Sequence, residues 1–205
     1  DYYRFQLLTG CRGGEIHGNK RHGYPPIRVG DVDLEGGKIV LRDTKNRSDH
    51  KLLLSKQALE IAQRNCQARK PDAPLFQIVD ARKTLIWINT QAGTKVHGHG
   101  LRATFASIAE ELVSGAVLKR MMNHASGGDV TLGHYVGKSE AQLRAGWQTV
   151  ADFIETASAK VARVAPAHSA ELNGRTRRFV TRSGAVPSRR RSQSAPAPAA
   201  TRSAP

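Results

Sequence analysis

The C-terminal segment limits what this chain can fold into more than any other feature does. From Val164 onward the sequence consists mostly of Ala, Pro, Ser and Arg, without apolar residues at a helical or strand period. Such a segment buries too little apolar surface to offset the entropy that ordering it would cost. We therefore predict a disordered basic tail over residues 164–205 and one folded domain over residues 1–163.

One group of strands is predicted within the folded part. Three aliphatic runs, separated by short polar turns, occupy residues 27–34, 38–43 and 50–55. Runs joined by such turns pair as an antiparallel meander. The second turn carries Lys45, an amine on a hairpin that either reaches a ligand or only keeps the edge soluble.

The rest of the folded part has helical patterns. A first helix ends at Gly10, and a second begins near Arg12, where Glu15 either holds a neighbouring cation or is a plain surface charge. Ser55 and Asp80 are candidate caps for two further helices. Together with the meander, these patterns predict an α+β fold that is mainly helical with a small three-stranded antiparallel sheet.

The stretch from His97 to Tyr135 concentrates the residues that can do chemistry. A helix beginning near Gly100 would place Arg102 in its first turn and His99 just before it, close to backbone amides that favour an anion. A short helix then places His124 at its C-terminal end, eleven residues before Tyr135. The helix that begins near Gly100 buries an apolar stripe, which comprises Leu101, Phe105, Ile108, Ala109 and Leu112.

A capping-box pattern at Ser139 and Gln142 opens a last predicted helix, over residues 139–162. Its apolar stripe comprises Leu143, Trp147, Val150, Ala151, Ile154 and Val161. The stripe can pack on its own domain or on a neighbouring protomer, and we favour the protomer interface.

Four motifs in this order resemble those of the tyrosine recombinases, also called phage-type integrases. LLTGCRGGEI is similar to the family's first Arg box, and DTKN matches the position of its catalytic Lys. HGHGLRATFAS resembles its His-x-x-Arg box, and NHASGGDVTLGHYV its His-to-Tyr box. Each motif alone is weak, but the ordered set is specific and covers residues 1 to about 155. Family members usually carry an N-terminal DNA-clamping domain, which we expect to be missing from this chain because it opens with Asp1 and runs directly into a helix.

The resemblance implies six catalytic residues: Arg12, Lys45, His99, Arg102, His124 and Tyr135. Guanidinium groups match phosphate oxygens bidentately and stay charged at any working pH. A phenol has a pKa near 10, so Tyr135 needs a base, for which His99 is the candidate, and Lys45 would protonate the leaving oxygen. The implied chemistry is strand cleavage through a 3′-phosphotyrosyl link, with no metal and no cofactor.

The resemblance also implies the partners. These are double-stranded DNA, further copies of the chain in a tetramer on DNA through the helix at 139–162, and accessory DNA-bending proteins. The expected location is the bacterial cytoplasm, in association with the nucleoid.

Composition agrees with a polyanionic partner. The formal net charge is +15, and the eight Arg and one Glu of residues 166–205 supply +7 of it, so the first 165 residues carry the other +8. Charge alone does not separate DNA from RNA or an anionic membrane surface. No run approaches the roughly 18 apolar residues of a membrane span. Two isolated thiols, Cys11 and Cys66, fit a reducing cytosol, and the spacing of Cys11, His17 and His22 fits no standard zinc pattern.

Three other functions stay open at this point. The chain could be a non-catalytic DNA-binding remnant of an integrase, although all six catalytic positions are filled. It could act like a type IB topoisomerase, which shares the Tyr chemistry, although the short hairpin and compact His-to-Tyr spacing fit integrases better. A basic RNA-binding protein would need an aromatic-rich stacking surface, which the sequence does not show.

Overall fold

The computed structural model describes residues 1–45, 48–78, 81–123 and 140–164. Within these ranges the helices are α1 (Tyr2–Thr9), α2 (Gly13–His17), α3 (Lys56–Cys66), α4 (Ala81–Ala92), α5 (Gly98–Leu112), α6 (Gly115–Met121) and α7 (Glu140–Val164). The strands are β1 (Val32–Asp33), β2 (Lys38–Leu41) and β3 (His50–Leu53), and a 3₁₀ helix over Val29–Asp31 precedes β1. The predicted fold class, mainly helical with a small three-stranded antiparallel sheet, is confirmed.

The chain divides into two units, Asp1–Lys160 and Val161–Pro205. The first unit contains the sheet, helices α1 to α6 and residues 140–160 of α7. Of the second unit the structure describes residues 161–164, which form the end of α7, and the rest of the predicted tail lies outside the described residues. The predicted domain division after residue 163 stays a prediction.

The sheet is an antiparallel meander in the order β1-β2-β3. Its register places Ile39 opposite Leu52 and Leu41 opposite His50. The first strand is shorter than predicted. The Asp31 carboxylate accepts a hydrogen bond from the Arg28 backbone N–H at 2.9 Å, and this closes the 3₁₀ turn that takes the place of the expected strand start.

The core of the first unit lies between α1, α3 and α5. Phe5 and Leu8 of α1 are fully buried, and α1 packs on both α3 and α5. Ser55 caps α3 as predicted, because its hydroxyl accepts a hydrogen bond from the Ala58 backbone N–H at 3.3 Å. In α5, Phe105 is fully buried.

Helix α7 packs on its own domain. Trp147, Val150 and Ala151 are at most 1% exposed within the core, and the Trp147 indole N–H donates to the Thr9 carbonyl at 3.4 Å. The prediction that this stripe serves a neighbouring protomer is therefore wrong for these three residues. Phe153 and Val161 stay 46% and 68% exposed.

Two other helices are less buried than α1 and α3. Leu112, expected in the buried stripe of α5, is 37% exposed because it is the last residue of the helix. No residue of α4 is fully buried, and Leu85 and Ile88 are only partly covered. Its predicted cap, Asp80, lies outside the described residues. Among the helices described, none is long and apolar enough to cross a membrane.

Candidate active site

Arg12 is held at the start of α2 by Glu15. Arg12 Nη1 donates to Glu15 Oε1 at 2.7 Å, and the Arg12 backbone N–H donates to Glu15 Oε2, also at 2.7 Å. The Glu15 side chain is 5% exposed and that of Arg12 is 27% exposed. Of the two interpretations of Glu15, holding a cation is the one the structure shows. The carboxylate orients the guanidinium while part of it stays accessible to a ligand.

Gly10 brings the end of α1 against α5. Its backbone has φ +68°, and a Cβ added at this position would lie 2.4 Å from the ring of Phe105. A residue with a side chain would meet both the unfavourable φ and this clash, whereas glycine tolerates both. The close approach puts the Gly10 carbonyl within reach of Arg102.

The Arg102 guanidinium joins three segments that are distant in sequence. Its Nη1 donates to the Gly10 carbonyl and its Nη2 to the Met122 carbonyl, each at 2.6 Å. The residue is only 6% exposed. Burial, followed by the nearby charge of Arg12, lowers the pKa of Arg102, but a guanidinium stays charged at working pH. Arg102 therefore ties the first Arg box, α5 and the end of α6 together.

His99 lies within α5 and not before it. The helix starts at Gly98, two residues earlier than predicted, which puts His99 in the first turn and Arg102 in the second. Residues three apart on a helix share a face. His99 is exposed, and together with Arg12 and Arg102 it lines a cavity of about 280 Å³. Three of the six predicted catalytic side chains thus meet at one place.

Lys45 lies in the β2–β3 turn, as predicted, and is exposed. Its neighbour Thr44 is 2% exposed and accepts a hydrogen bond from Asn123 Nδ2 at 3.0 Å. Asn123 directly follows Met122, whose carbonyl binds Arg102. The structure therefore brings the base of the Lys45 turn to the end of α6, close to the Arg102 hydrogen bond.

His124 and Tyr135 lie outside the described residues. The last described residue before them is Asn123, at the end of α6, and the chain is described again from Glu140. The placement of His124 next to the end of α6 and the role of Tyr135 as nucleophile stay predictions.

Sequence reasoning missed the buried polar residues that support the site. Gln6, which is 1% exposed on α1, donates through Nε2 to the Gly98 carbonyl at 3.0 Å and to the Cys11 carbonyl at 3.4 Å. It therefore links the Arg12 loop to the start of the His99 helix. A polar residue on the apolar face of α1, between Phe5 and Leu8, is the signal that could have revealed it.

Cys11 and His17 take no part in a metal site among the described residues, where no cluster of three or more His, Cys, Asp or Glu side chains could hold an ion. The His17 Nδ1 is 2.7 Å from the Tyr2 hydroxyl. Burial raises the pKa of the Cys11 thiol to about 12, so it stays protonated beside Arg12 and is a poor nucleophile.

His50, at the start of β3, is a second residue that sequence reasoning missed. Its Nε2 is buried and has no hydrogen-bond partner in the structure. Burial is the main cause that lowers the pKa of His50. Among nearby charges, Glu15 opposes this shift, and the cations that reinforce it are Arg102, Arg12 and Arg120. The imidazole is therefore held neutral in the folded protein.

This lowered pKa predicts a pH-dependent stability. The unfolded chain takes up a proton on His50 near pH 6.5, whereas the folded chain does so only at lower pH. The free energy of unfolding is therefore unaffected by His50 above pH 6.5 and decreases as the pH falls below that value. Urea unfolding between about pH 7.5 and 5 should show a falling free energy of unfolding, and His50→Gln should reduce that slope. An equally steep slope in the variant would contradict this account.

Comparison with known proteins identifies a family for this chain. Residues 2–142 match the phage integrase family. Because this match covers more than half of the 205 residues, the chain belongs to the phage integrase family, that of the tyrosine recombinases.

Among solved structures, the chain is similar to the integrase from mycobacterium phage Brujita. The TM-score is 0.49 and the sequence identity 17%, over 72% of this chain and 50% of that one. The chain therefore spans about half the length of that integrase. The search of curated proteins finds no match.

Proposed function

We propose that this chain is the catalytic domain of a site-specific tyrosine recombinase, which cuts and rejoins DNA strands through a 3′-phosphotyrosyl intermediate. The observation that carries the proposal is the Arg102 guanidinium, which contacts the Gly10 and Met122 carbonyls at 2.6 Å. Through these contacts Arg102 ties the Arg12 loop, the His99 helix and the end of α6 together, and Arg12, His99 and Arg102 line one cationic cavity.

Arg12 and Arg102 would stabilise the charge that develops on phosphorus. Two of the five N–H groups of Arg102 donate to the backbone carbonyls, and its remaining N–H groups would donate to non-bridging phosphate oxygens. Such preorganised donors typically contribute about 3–4 kcal/mol each to transition-state stabilisation. His124 would add a further donor to the same oxygens.

The proton transfers complete the step. The Tyr135 oxygen attacks phosphorus and gives its proton to His99, while the bond from phosphorus to the 5′-oxygen breaks. Lys45 protonates that departing oxygen, so the products are a 3′-phosphotyrosyl ester and a free 5′-hydroxyl. Because the step exchanges one phosphate ester for another, a 5′-hydroxyl from another strand can attack the phosphotyrosyl ester and rejoin the DNA. This scheme uses side chains of the chain itself and calls for no metal or cofactor.

Double-stranded DNA is the proposed partner, in a tetramer assisted by DNA-bending proteins. The net charge of +15 favours a polyanion. Because Trp147, Val150 and Ala151 of α7 are used by the core, an interface through residues 139–162 would rest on Phe153 and Val161, both exposed.

Covalent trapping tests the function. The chain is incubated with a pool of nicked duplexes whose flanks are randomised, in excess EDTA, and denatured in SDS. In a nicked duplex the short cleaved product diffuses away, so the covalent adduct accumulates. We expect an SDS-stable adduct that selects a subset of sequences. Absence of the adduct would contradict the proposal and favour a non-catalytic DNA-binding protein. In a parallel assay on a supercoiled plasmid, relaxation without strand exchange would favour the topoisomerase alternative.

Deletion of the basic tail should weaken DNA binding without changing the fold. Residues 166–205 carry eight Arg, which would release counterions from DNA phosphates. The slope of log affinity against log salt should become shallower by roughly 0.9 for each phosphate that the tail no longer neutralises. Affinities on an unrelated duplex across a salt series measure the slope, and thermal unfolding checks the fold. An unchanged slope would mean that the tail does not bind DNA.

A further inference from the structure

We propose that Asn123 is a positioning residue for Lys45, acting through a hydrogen bond to Thr44. The inference rests on the proposed role of Lys45 as general acid and names the device that would hold its turn in place. Neither Asn123 nor Thr44 needs to touch DNA for this role.

Thr44 anchors the Lys45 turn from inside the protein. Its hydroxyl donates to the Ser48 carbonyl at 3.0 Å, and its backbone N–H donates to the same carbonyl at 3.1 Å. A hydroxyl has one proton to donate. Because Ser48 receives that proton, the hydrogen bond with Asn123 must run from the amide Nδ2 to the Thr44 oxygen, at 3.0 Å. Hydrogen bonds therefore join Thr44 and Ser48, which flank the Lys45 turn, and fix Thr44 to Asn123 at the end of α6.

The backbone of Asn123 is held from the other side. It has φ +47°, a left-handed conformation that Asn adopts more readily than most residues. Its N–H donates to the Arg120 carbonyl at 3.2 Å, and the preceding carbonyl, of Met122, accepts from Arg102 at 2.6 Å. A continuous path of covalent and hydrogen bonds therefore runs from the buried guanidinium through Asn123 to the base of the acid's turn.

This path matters because Lys45 itself is exposed on a hairpin turn. Proton donation accelerates a step only when the donor is within hydrogen-bond reach of the leaving atom. A misplacement of about 1 Å can cost on the order of 10²-fold in rate. The hydrogen bond between Asn123 and Thr44 fixes the amine's turn relative to Arg102, which would hold the phosphate.

The test compares two substrates. Variants Asn123→Gly, which keeps the left-handed backbone but lacks the amide, and Thr44→Val are prepared in the full chain, with Thr44→Ser as the conservative variant. The control Thr149→Val removes an exposed hydroxyl of α7 that bonds only the Ala145 carbonyl within its own helix. Cleavage rates are measured on the nicked duplex recovered by trapping and on the same duplex with sulfur at the bridging 5′ position. A thiolate leaves without a proton, so the sulfur duplex bypasses the acid.

We expect Asn123→Gly and Thr44→Val each to slow cleavage of the oxygen duplex by about 10- to 100-fold and to cleave the sulfur duplex nearly as fast as the unmodified chain. The double variant should be no slower than Thr44→Val alone, because Thr44→Val already removes the hydrogen bond with Asn123, along with the hydroxyl's hydrogen bond to the Ser48 carbonyl. Thr44→Ser should restore the rate.

Equal losses on both duplexes, or additive losses in the double variant, would overturn the positioning role, as would full activity on the oxygen duplex. Thermal unfolding identifies a variant that fails to fold. In that case the other single variant, which also lacks the hydrogen bond between Asn123 and Thr44, is used for the comparison of the two duplexes. Failure of the proposed function would be distinct, since the unmodified chain would then form no adduct.

Discussion

Tyr135→Phe should abolish the SDS-stable adduct between the protein and nicked DNA. The substitution removes only the phenolic oxygen, the atom that would form the bond to phosphorus, and leaves the ring in place. Deleting a catalytic nucleophile typically costs on the order of 10⁶-fold in rate, which places the variant below detection. Binding of the same duplex, measured without denaturation, should be retained.

Tyr24→Phe is the matched control. Tyr24 lies in the loop after α2, where it pairs with Asn19 as an isolated bridge and its ring stacks on His22 at 5.8 Å. This variant should form the adduct at the unmodified rate. An adduct that persists in Tyr135→Phe but disappears in Tyr24→Phe would move the nucleophile to that loop.

Lys45→Ala should slow cleavage of an ordinary strand by about 10²–10⁴-fold, the range typical of positioned proton donation. The 5′-oxygen leaves as an alkoxide of very high pKa unless a proton reaches it as the bond breaks. Sulfur at that position removes the need for a proton, so Lys45→Ala should cleave the sulfur duplex nearly as fast as the unmodified chain. Single-turnover rates on the two duplexes give the comparison.

Two further variants interpret that result. Arg12→Ala should be slow on both duplexes, because Arg12 would stabilise charge on the non-bridging oxygens, which sulfur substitution leaves in place. Lys38→Ala removes an amine of β2 that pairs with Asp33 at 3.1 Å, and it should be active on both. Equal impairment of Lys45→Ala on the two duplexes would make Lys45 a phosphate-binding residue and leave the acid unassigned.

Local sequence patterns predicted the elements well where a short-range signal exists. Gly10 ends α1 and Ser55 caps α3, because a left-handed residue and a side-chain hydroxyl act on the backbone within a few positions. Predictions of element boundaries failed where a contact that the sequence pattern does not reveal fixes the end of an element. The first strand is shortened by the Asp31 cap, and α5 begins at Gly98, before the expected Gly100.

The face of α7 shows the same limit. Periodicity identified Trp147, Val150 and Ala151 as apolar residues that must be covered, but it carries no information on whether the cover belongs to the same domain or to another protomer. In the structure all three residues are buried in the core of the first unit, so the same domain covers them.

The candidate site divides in the same way. The sequence by itself determined which residue types are present and in what order, because an Arg, a Lys, a His and a Tyr keep their chemistry wherever the chain places them. Only the tertiary structure decided how they are held, since the partners are backbone carbonyls and buried amides. Arg102 bonds the carbonyl of Gly10, 92 residues away, and Asn123 bonds Thr44, 79 residues away. A carbonyl is the same in every residue, so no pattern of side chains can identify the one that packing brings within 2.6 Å of a guanidinium.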